Sequence, residues 1–222
     1  MPTLNHADAV YVLDFGDDEN RFTPAWIGEV DALLDTVVGG SDAAALVTTG
    51  RGKFYSNGLD LAWLADNNEQ ASAYVRSVQQ LLARLLTLPV PTIAAINGHA
   101  FGAGAMLAMA HDFRVMRSDR GYLCFPEVDI HVPFSPGMAA LIQAKLTPAA
   151  AIVAMTTGRR FDAPAAREFG LVDQVAEEAA VLPTATELVR PLAGKDRETL
   201  AAIKATMFAG VVTVLRSGGL TG

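Results

Sequence analysis

Short apolar runs and amphipathic helical stretches alternate from Val10 to Met116, and that alternation limits the chain to parallel β-α-β units. Val10 to Phe15 reads as a strand. Pro24 then opens a helix with Thr23 as its N-cap, and Trp26, Ile27, Val30, Leu33 and Leu34 recur at helical spacing. Ala43 to Thr48 is a short apolar run ending in turn residues, as a buried parallel strand does. Gln70 to Leu88 carries Val75, Val78, Leu81, Leu82 and Leu85 along one helical face and stops at Pro89 and Pro91. Thr92 to Ile96 is the next strand, and a glycine- and alanine-rich turn from Asn97 to Ala105 leads into a helix. Phe113 to Met116 and Tyr122 to Phe125 are two further short strands. From Pro136 the reading is mostly helical, broken at Gly158, Gly170 and Pro191, with a strand at Leu171 to Val175.

At 222 residues, 51% hydrophobic and 18% charged, the chain suits one globular domain with a substantial core and a small helical appendage. A net charge of -7 argues against a nucleic-acid surface, while leaving room for a local basic patch facing an anionic ligand. Cys124 is the sole cysteine and lies in the apolar stretch Tyr122 to Phe125, so it reads as a packing residue. The N-terminus shows no basic region followed by an apolar run, and the apolar run Ala205 to Leu215 is too short to span a bilayer. The ending SGGLTG is flexible in character and shows no receptor-read targeting tripeptide. The expectation is a soluble, cytoplasmic protein without membrane association.

Three segments carry chemistry. The first runs from Gly52 to Leu61, the second from Asn97 to Met106 at a strand-to-helix junction, and the third from Phe125 to Ile130. Gly58 and the Gly102/Gly104 pair let the backbone turn sharply and present N–H groups with no side chain in the way. A loop that opens a helix also favours negative charge. Two such loops facing each other supply two donors to one developing oxyanion. A carboxylate in apolar surroundings, Glu127, would have a raised pKa and suit proton transfer near neutral pH. Spacing alone leaves two rivals open: tight helix-on-strand packing, and a dinucleotide loop of the short-chain dehydrogenase kind. The second fits poorly, because the loop sits mid-chain and none of Tyr11, Tyr55, Tyr74 or Tyr122 has a lysine four residues later.

In this order and at these intervals the three segments resemble the enoyl-CoA hydratase/isomerase (crotonase) family, from about Val10 to Val175. Supporting pieces are His111-Asp112-Phe113-Arg114, Gly158 to Ala163, and Gly170-Leu171-Val172. Within the family, Glu19-Asn20-Arg21-Phe22, Ser56 to Trp63 and Glu127 to Ile130 are most similar to the plant-type enoyl-CoA Δ3-Δ2 isomerases. The resemblance implies an α/β crotonase fold, a spiral of ββα repeats. It places the core over residues 1–175 and a helical trimerisation or lid region over 176–222. It also implies a homotrimer or hexamer, an acyl-CoA substrate, and no cofactor beyond the coenzyme A that the substrate carries.

By the same resemblance the amides of Leu59 and Ala103 form the oxyanion hole. Ser56, Asn57, Gly58, Asp60, Trp63, Gly102, Gly104 and Met106 surround the substrate, and Glu127 is the catalytic acid/base. Asp60 also reads as a helix cap. Hydratases of this family use two glutamates, and the position of the first falls here on Met106. A thioether cannot act as a base and helps to exclude water. The implied reaction is therefore conversion of 3-enoyl-CoA to trans-2-enoyl-CoA. The alternatives are another crotonase-type reaction (hydration, decarboxylation or dehalogenation) or an idle acyl-CoA-binding member. His99 and His131 lack neighbours at metal-ligand spacing, so no metal is expected. Arg51 and Lys53 flank the first loop and are either solvated surface residues or candidates to meet the phosphates of coenzyme A, and Trp63, Leu64 and Phe134 either line an acyl tunnel or belong to the core.

Overall fold

The computed structural model describes residues 1–40 and 42–217. The glycine-rich C-terminal ending read above as flexible lies, from residue 218 on, outside the described residues. Strands β1 (Thr3–Ala7) and β2 (Val10–Asp14) form an antiparallel hairpin. Its two loop residues, Asp8 and Ala9, both have positive φ, the conformation whose twist matches a two-residue hairpin loop. Helix α1 (Pro24–Gly39) follows, with Thr23 Oγ1 accepting from the Trp26 N–H at 3.0 Å. The chain then runs through β3 (Ala45–Thr49), β4 (Phe54–Ser56), α2 (Leu61–Asp66) and α3 (Ala71–Leu86). Next come β5 (Thr92–Ile96), β6 (His99–Phe101), α4 (Ala103–Ala110), β7 (Phe113–Arg117) and β8 (Leu123–Cys124). After these lie α5 (Pro136–Lys145), α6 (Pro148–Thr156), α7 (Ala163–Glu168) and β9 (Gln174–Ala176). Helices α8 (Glu178–Val189), α9 (Arg197–Met207) and α10 (Ala209–Ser217) complete the described chain.

Pairing divides the strands into two sheets. One has the order β1-β2-β3-β5-β7-β9, parallel from β2 onward, and the other is the parallel set β4-β6-β8. Each pass of the chain therefore lays one strand in the large sheet and the next in the small one: β3 then β4, β5 then β6, β7 then β8. This is the expected ββα spiral. Helix α4 is buried at all eight of its residues, which are chiefly alanine, methionine and glycine, small or pliable enough to fit between the layers. The opposite face of the large sheet is closed by Val181, Ala185 and Val189 of α8 against Val47, Ile93, Ala95 and Val115.

Three strands were missed by periodicity. They are β1, and the three-residue β4 and β6, which lie inside segments read as loops. Three residues are too few to show a period of two. The strand expected at Leu171 to Val175 begins instead at Gln174, because Leu171 and Asp173 are held by Arg114: its Nε donates to Leu171 O at 2.7 Å, and Asp173 Oδ2 accepts the Arg114 N–H at 2.7 Å. Among the described residues no single helix is long and apolar enough to cross a membrane.

One buried ion pair ties the C-terminal helices to the sheet. Lys204 of α9 is 3% exposed, and its Nζ donates to Asp112 Oδ2 at 2.7 Å and to Val90 O at 2.9 Å. Asp112 also accepts the Thr92 N–H at 2.8 Å, at the start of β5. Asp112→Ala strands the ammonium and should lower stability by about 3–5 kcal/mol in urea unfolding. Lys204→Met should cost less, because Asp112 keeps the Thr92 bond.

Candidate active site

Strands β4 and β6 are parallel neighbours, with Ser56 opposite Ala100, so the loops that follow them emerge side by side. Glycine sets how closely they meet. Gly58 has φ +76°, and a Cβ there would stand 2.6 Å from Phe101 O and 3.0 Å from Ala103 N. At Gly104 a Cβ would overlap the Ser56 carbonyl. Gly102, with φ +52°, makes the turn that opens α4. The first loop is held from below by Asn20, whose Nδ2 donates to Tyr55 O at 3.1 Å and whose carbonyl accepts from Ser56 Oγ at 2.7 Å. Ser56 Oγ in turn accepts the Gly58 N–H at 3.2 Å. Among the described residues, neither the Leu59 nor the Ala103 N–H has an acceptor in the protein. Both residues line the same cavity.

Glu127 follows β8 on a tight turn, not on an extended segment. The Asp129 and Ile130 N–H groups donate to Pro126 O at 2.9 and 3.1 Å, and the Val132 N–H to Glu127 O at 3.0 Å. The turn sends the exposed Asp129 away from the cavity, against Gly158, where a Cβ would collide with its carboxylate. His131 takes φ +58°, a conformation that favours glycine. Glu127 itself is 9% exposed, and its Oε2 is buried with no partner among the described residues. Burial pushes its carboxyl up to about 7, opposed only in part by a backbone hydrogen bond. A Cβ at Gly102 would lie 3.5 Å from Glu127 Oε1, so the carboxylate stands next to the second loop.

The cavity between these elements has a volume of about 310 Å³. Asn57, Leu59, Gly102, Ala103 and Glu127 line its polar end, and Met106, Phe134 and Met138 are among its apolar walls. Leu61, Ile130 and Val132 line it as well and are partly open to solvent, which makes them its rim. Among the described lining residues Glu127 is the only carboxylate. Of the positions expected around the substrate, Asn57, Gly102 and Met106 face the cavity; Ser56, Gly58, Asp60, Trp63 and Gly104 do not line it. Ser56, Gly58 and Gly104 form the packed support just described. Asp60 caps α2, its Oδ1 accepting the Trp63 N–H at 3.1 Å, and Trp63 packs on Tyr74 with ring centroids 5.1 Å apart.

Arg21, named above only as part of a resemblance motif and given no role there, is a cavity residue. Its Nη1 donates to Leu59 O at 3.2 Å and its Nε pairs with Glu19 at 2.5 Å, so it braces the first loop from the outside. Phe101, Leu61 and Met138 were missed as well, since nothing local distinguishes a cavity wall from core. Arg51 is paired with Asp14 at 2.8 Å, and Lys53 Nζ sits 5.1 Å from the Phe54 ring centroid. His99 packs among the rings of Phe54, Phe101 and Tyr122.

Behind the site, His111 is fully buried between Leu107 O and Thr48 Oγ1, both 2.8 Å away, and burial pushes its imidazole down to about 3. A carbonyl can only accept, so Nδ1 carries the proton and Nε2 accepts from Thr48, whose oxygen accepts in turn from Tyr55 OH at 2.7 Å. This chain locks the end of α4 to β3.

The family model described as enoyl-CoA hydratase/isomerase matches residues 6–218. The chain is 38% identical to enoyl-CoA delta isomerase 3 of Arabidopsis thaliana, over 94% of this chain and 92% of that protein. It is 36% identical to the peroxisomal enoyl-CoA delta isomerase 2 of the same plant, over 97% and 95%. An apo structure of an enoyl-CoA isomerase from Mycobacterium tuberculosis superposes with a TM-score of 0.90 at 28% identity, covering 97% of this chain and 94% of that one. Two of the Arabidopsis relatives are peroxisomal, and this overturns the cytoplasmic expectation. That expectation lacked a physical footing, because a compartment is set by short receptor-read segments that composition and hydropathy do not encode. Fold, matched length and identity together place the chain in the enoyl-CoA hydratase/isomerase family.

Proposed function

We propose that the protein is an enoyl-CoA Δ3-Δ2 isomerase in which Glu127 alone moves the proton. The observation that carries this reading is the single desolvated carboxylate in the cavity, beside two backbone N–H groups without acceptors. The ionised Glu127 removes a proton from C2 of a 3-enoyl-CoA. The electron pair runs through the C1–C2 bond onto the thioester oxygen, where the Leu59 and Ala103 N–H groups receive the negative charge. Glu127, now a carboxylic acid, returns the proton to C4. The double bond then lies between C2 and C3, and no atom is gained or lost. The isomerase names of the Arabidopsis relatives support the reaction class.

Buried Met106 supports isomerisation over hydration. It lines the cavity where the two-glutamate members of the family would carry a second carboxylate, and it leaves no second group there to activate water. The bound thioester brings its own coenzyme A, and Asn57, Gly102 and the apolar walls hold its acyl end. Assembly as a homotrimer, or as a hexamer of paired trimers, with residues from 176 on serving those contacts or covering the site, belongs to the same proposal and rests on the family resemblance.

Three outcomes are expected. With 3-enoyl-CoA, absorbance of the conjugated thioester should rise, while 2-enoyl-CoA incubated with the same preparation should show little hydration. Glu127→Gln should lower kcat by about 10²- to 10⁴-fold, and a variant as active as the parent would sink the mechanism. In the parent, kcat/KM should rise with pH through about 7 and then level off, because the free enzyme must hold Glu127 ionised.

The same burial has a stability consequence. Glu127 titrates near 4.5 in an unfolded chain and at about 7 in the folded one, so the folded state holds the proton more tightly between those values. Stability from this group is full below pH 4.5 and is lost as pH rises toward 7. In thermal unfolding the Glu127→Gln variant should gain on the parent across that window, by about 3 kcal/mol at most.

A further inference from the structure

An N–H without an acceptor costs free energy, so a loop that presents one gains by turning that peptide plane toward a partner. The loop after β4 has the freedom to do so. Gly58, at φ +76°, precedes Leu59, and glycine is at home on both sides of φ/ψ space. Among the described residues the Gly58–Leu59 peptide has one anchor: the Gly58 carbonyl accepts the Phe22 N–H at 2.9 Å. The next peptide, Leu59–Asp60, is pinned at both ends. Its carbonyl accepts from Arg21 Nη1 at 3.2 Å and from the Leu61 N–H at 3.1 Å, and its N–H donates to Tyr74 OH at 2.9 Å.

The two side chains reach this peptide from different elements, and each is fixed in its own right. Arg21 lies between β2 and α1 and is held by Glu19 through its Nε. Tyr74 lies near the start of α3, is 3% exposed and packs on Trp63. Burial pushes its hydroxyl up to about 12, opposed by the bond to Asp60, so the group is neutral at ordinary pH. Arg21 is also the one cation among the described lining residues of the catalytic cavity. It does not act on the carboxyl of Glu127, which owes its position to burial and a backbone hydrogen bond. Its contact is with the loop.

We propose that Arg21 and Tyr74 are positioning residues for the oxyanion hole, clamping the Leu59–Asp60 peptide from both ends so that the adjacent Leu59 N–H stays aimed into the cavity. This role rests on the enolate chemistry proposed above. With the clamp removed, the base and the cavity remain, but the Gly58–Leu59 plane is free to turn. The loss then falls on the state in which the thioester oxygen carries charge, and hardly on the bound substrate, whose oxygen carries little.

Two conservative variants test the clamp in the full chain. Arg21→Met keeps the aliphatic stem and removes the donors, and Tyr74→Phe keeps the ring on Trp63 and removes the oxygen. With 3-enoyl-CoA, Arg21→Met should lower kcat by about 10²-fold and Tyr74→Phe by about tenfold, with KM within about twofold of the parent. Arg21→Lys should recover part of the loss, since one N–H donor suffices for a carbonyl. The double variant should be little worse than Arg21→Met alone, because both side chains hold one peptide. In every variant kcat/KM should still rise through about 7, because Glu127 is not touched. A second readout needs no turnover. A 3-oxoacyl-CoA ionises to an enolate that absorbs in the near ultraviolet, and an intact oxyanion hole favours that form. The enolate signal of the bound thioester should be strong in the parent and about tenfold weaker in Arg21→Met. An unchanged kcat with a raised KM, which would make Arg21 a contact of the coenzyme A phosphates, overturns the assignment. So do single losses that multiply in the double variant, or an enolate signal that is absent from the parent or equal in parent and variants. A parent that forms the bound enolate, loses it in the variants and yet does not isomerise 3-enoyl-CoA would refute the isomerase reading while supporting the clamp.

Discussion

Everything at the catalytic end of the molecule depends on how closely the loop after β4 approaches the loop after β6. A side-chain carbon at residue 58 would stand 2.6 Å from Phe101 O, and one at residue 104 would overlap the Ser56 carbonyl. Both contacts are between backbones, so no adjustment of a neighbouring side chain could relieve them. Glycine at these positions brings the Leu59 and Ala103 N–H groups to one cavity with their donors unused. Backbone donors fixed by two sheets and a helix need little rearrangement when charge develops in front of them, which is what makes such donors effective.

That approach has to be held from outside, and the supporting residues explain motifs whose purpose is not local. Asn20 adopts φ +48° and stitches the segment before α1 onto β4 through Tyr55 O and Ser56 Oγ. Arg21 braces the Leu59 carbonyl. His111, Asp112 and Arg114 are neighbours in sequence but serve three different joints. His111 locks α4 to β3, Asp112 joins β5 to α9, and Arg114 holds the segment before β9. In each case a buried polar group is satisfied by a partner far along the chain, so the cost of burying it becomes a constraint on topology.

These distances along the chain also mark how far the sequence could be read. The β-α alternation, the helix caps at Thr23 and Asp60, and the two glycine-bearing segments are visible because their physics is local: periodicity, capping and positive φ. Of the small sheet only β8 was visible, within the strand read at Tyr122 to Phe125. Its strands are two or three residues long and become strands only by pairing across the spiral. Glu127 stood out through family resemblance, yet its most informative property, an Oε2 buried without a partner, comes from elements spread between Asn57 and Met138. Trp63 could be read from the sequence either as tunnel lining or as core. A large aromatic beside a functional loop suits both, and here it packs on Tyr74 and does not line the cavity. Arg21 was part of a resemblance motif, but its role was hidden because its partner, Leu59 O, is 38 residues away.

Burial acts on two titratable groups at the two ends of the strands, and in opposite senses of charge. At one end it raises the carboxyl of Glu127 toward 7, and at the other it lowers the amine of Lys145 toward 8. Each group is shifted toward its neutral form because the surrounding apolar wall solvates its charge poorly. A purely structural carboxylate in such a place would be expected to find a partner, as Asp112 finds Lys204 and Asp173 finds Arg114. For Glu127 no cation opposes burial; only a backbone hydrogen bond favours its charged form, and the two protonation states stay close in energy near neutral pH. That balance is what a group must have if it is to take a proton from one carbon and return it to another, and it survives only while the cavity beside it remains apolar. On the proposed reading, Met106 therefore does more than stand in for a missing glutamate. A second carboxylate at that position would add like charge next to Glu127, raise its pKa further, and draw water into the cavity.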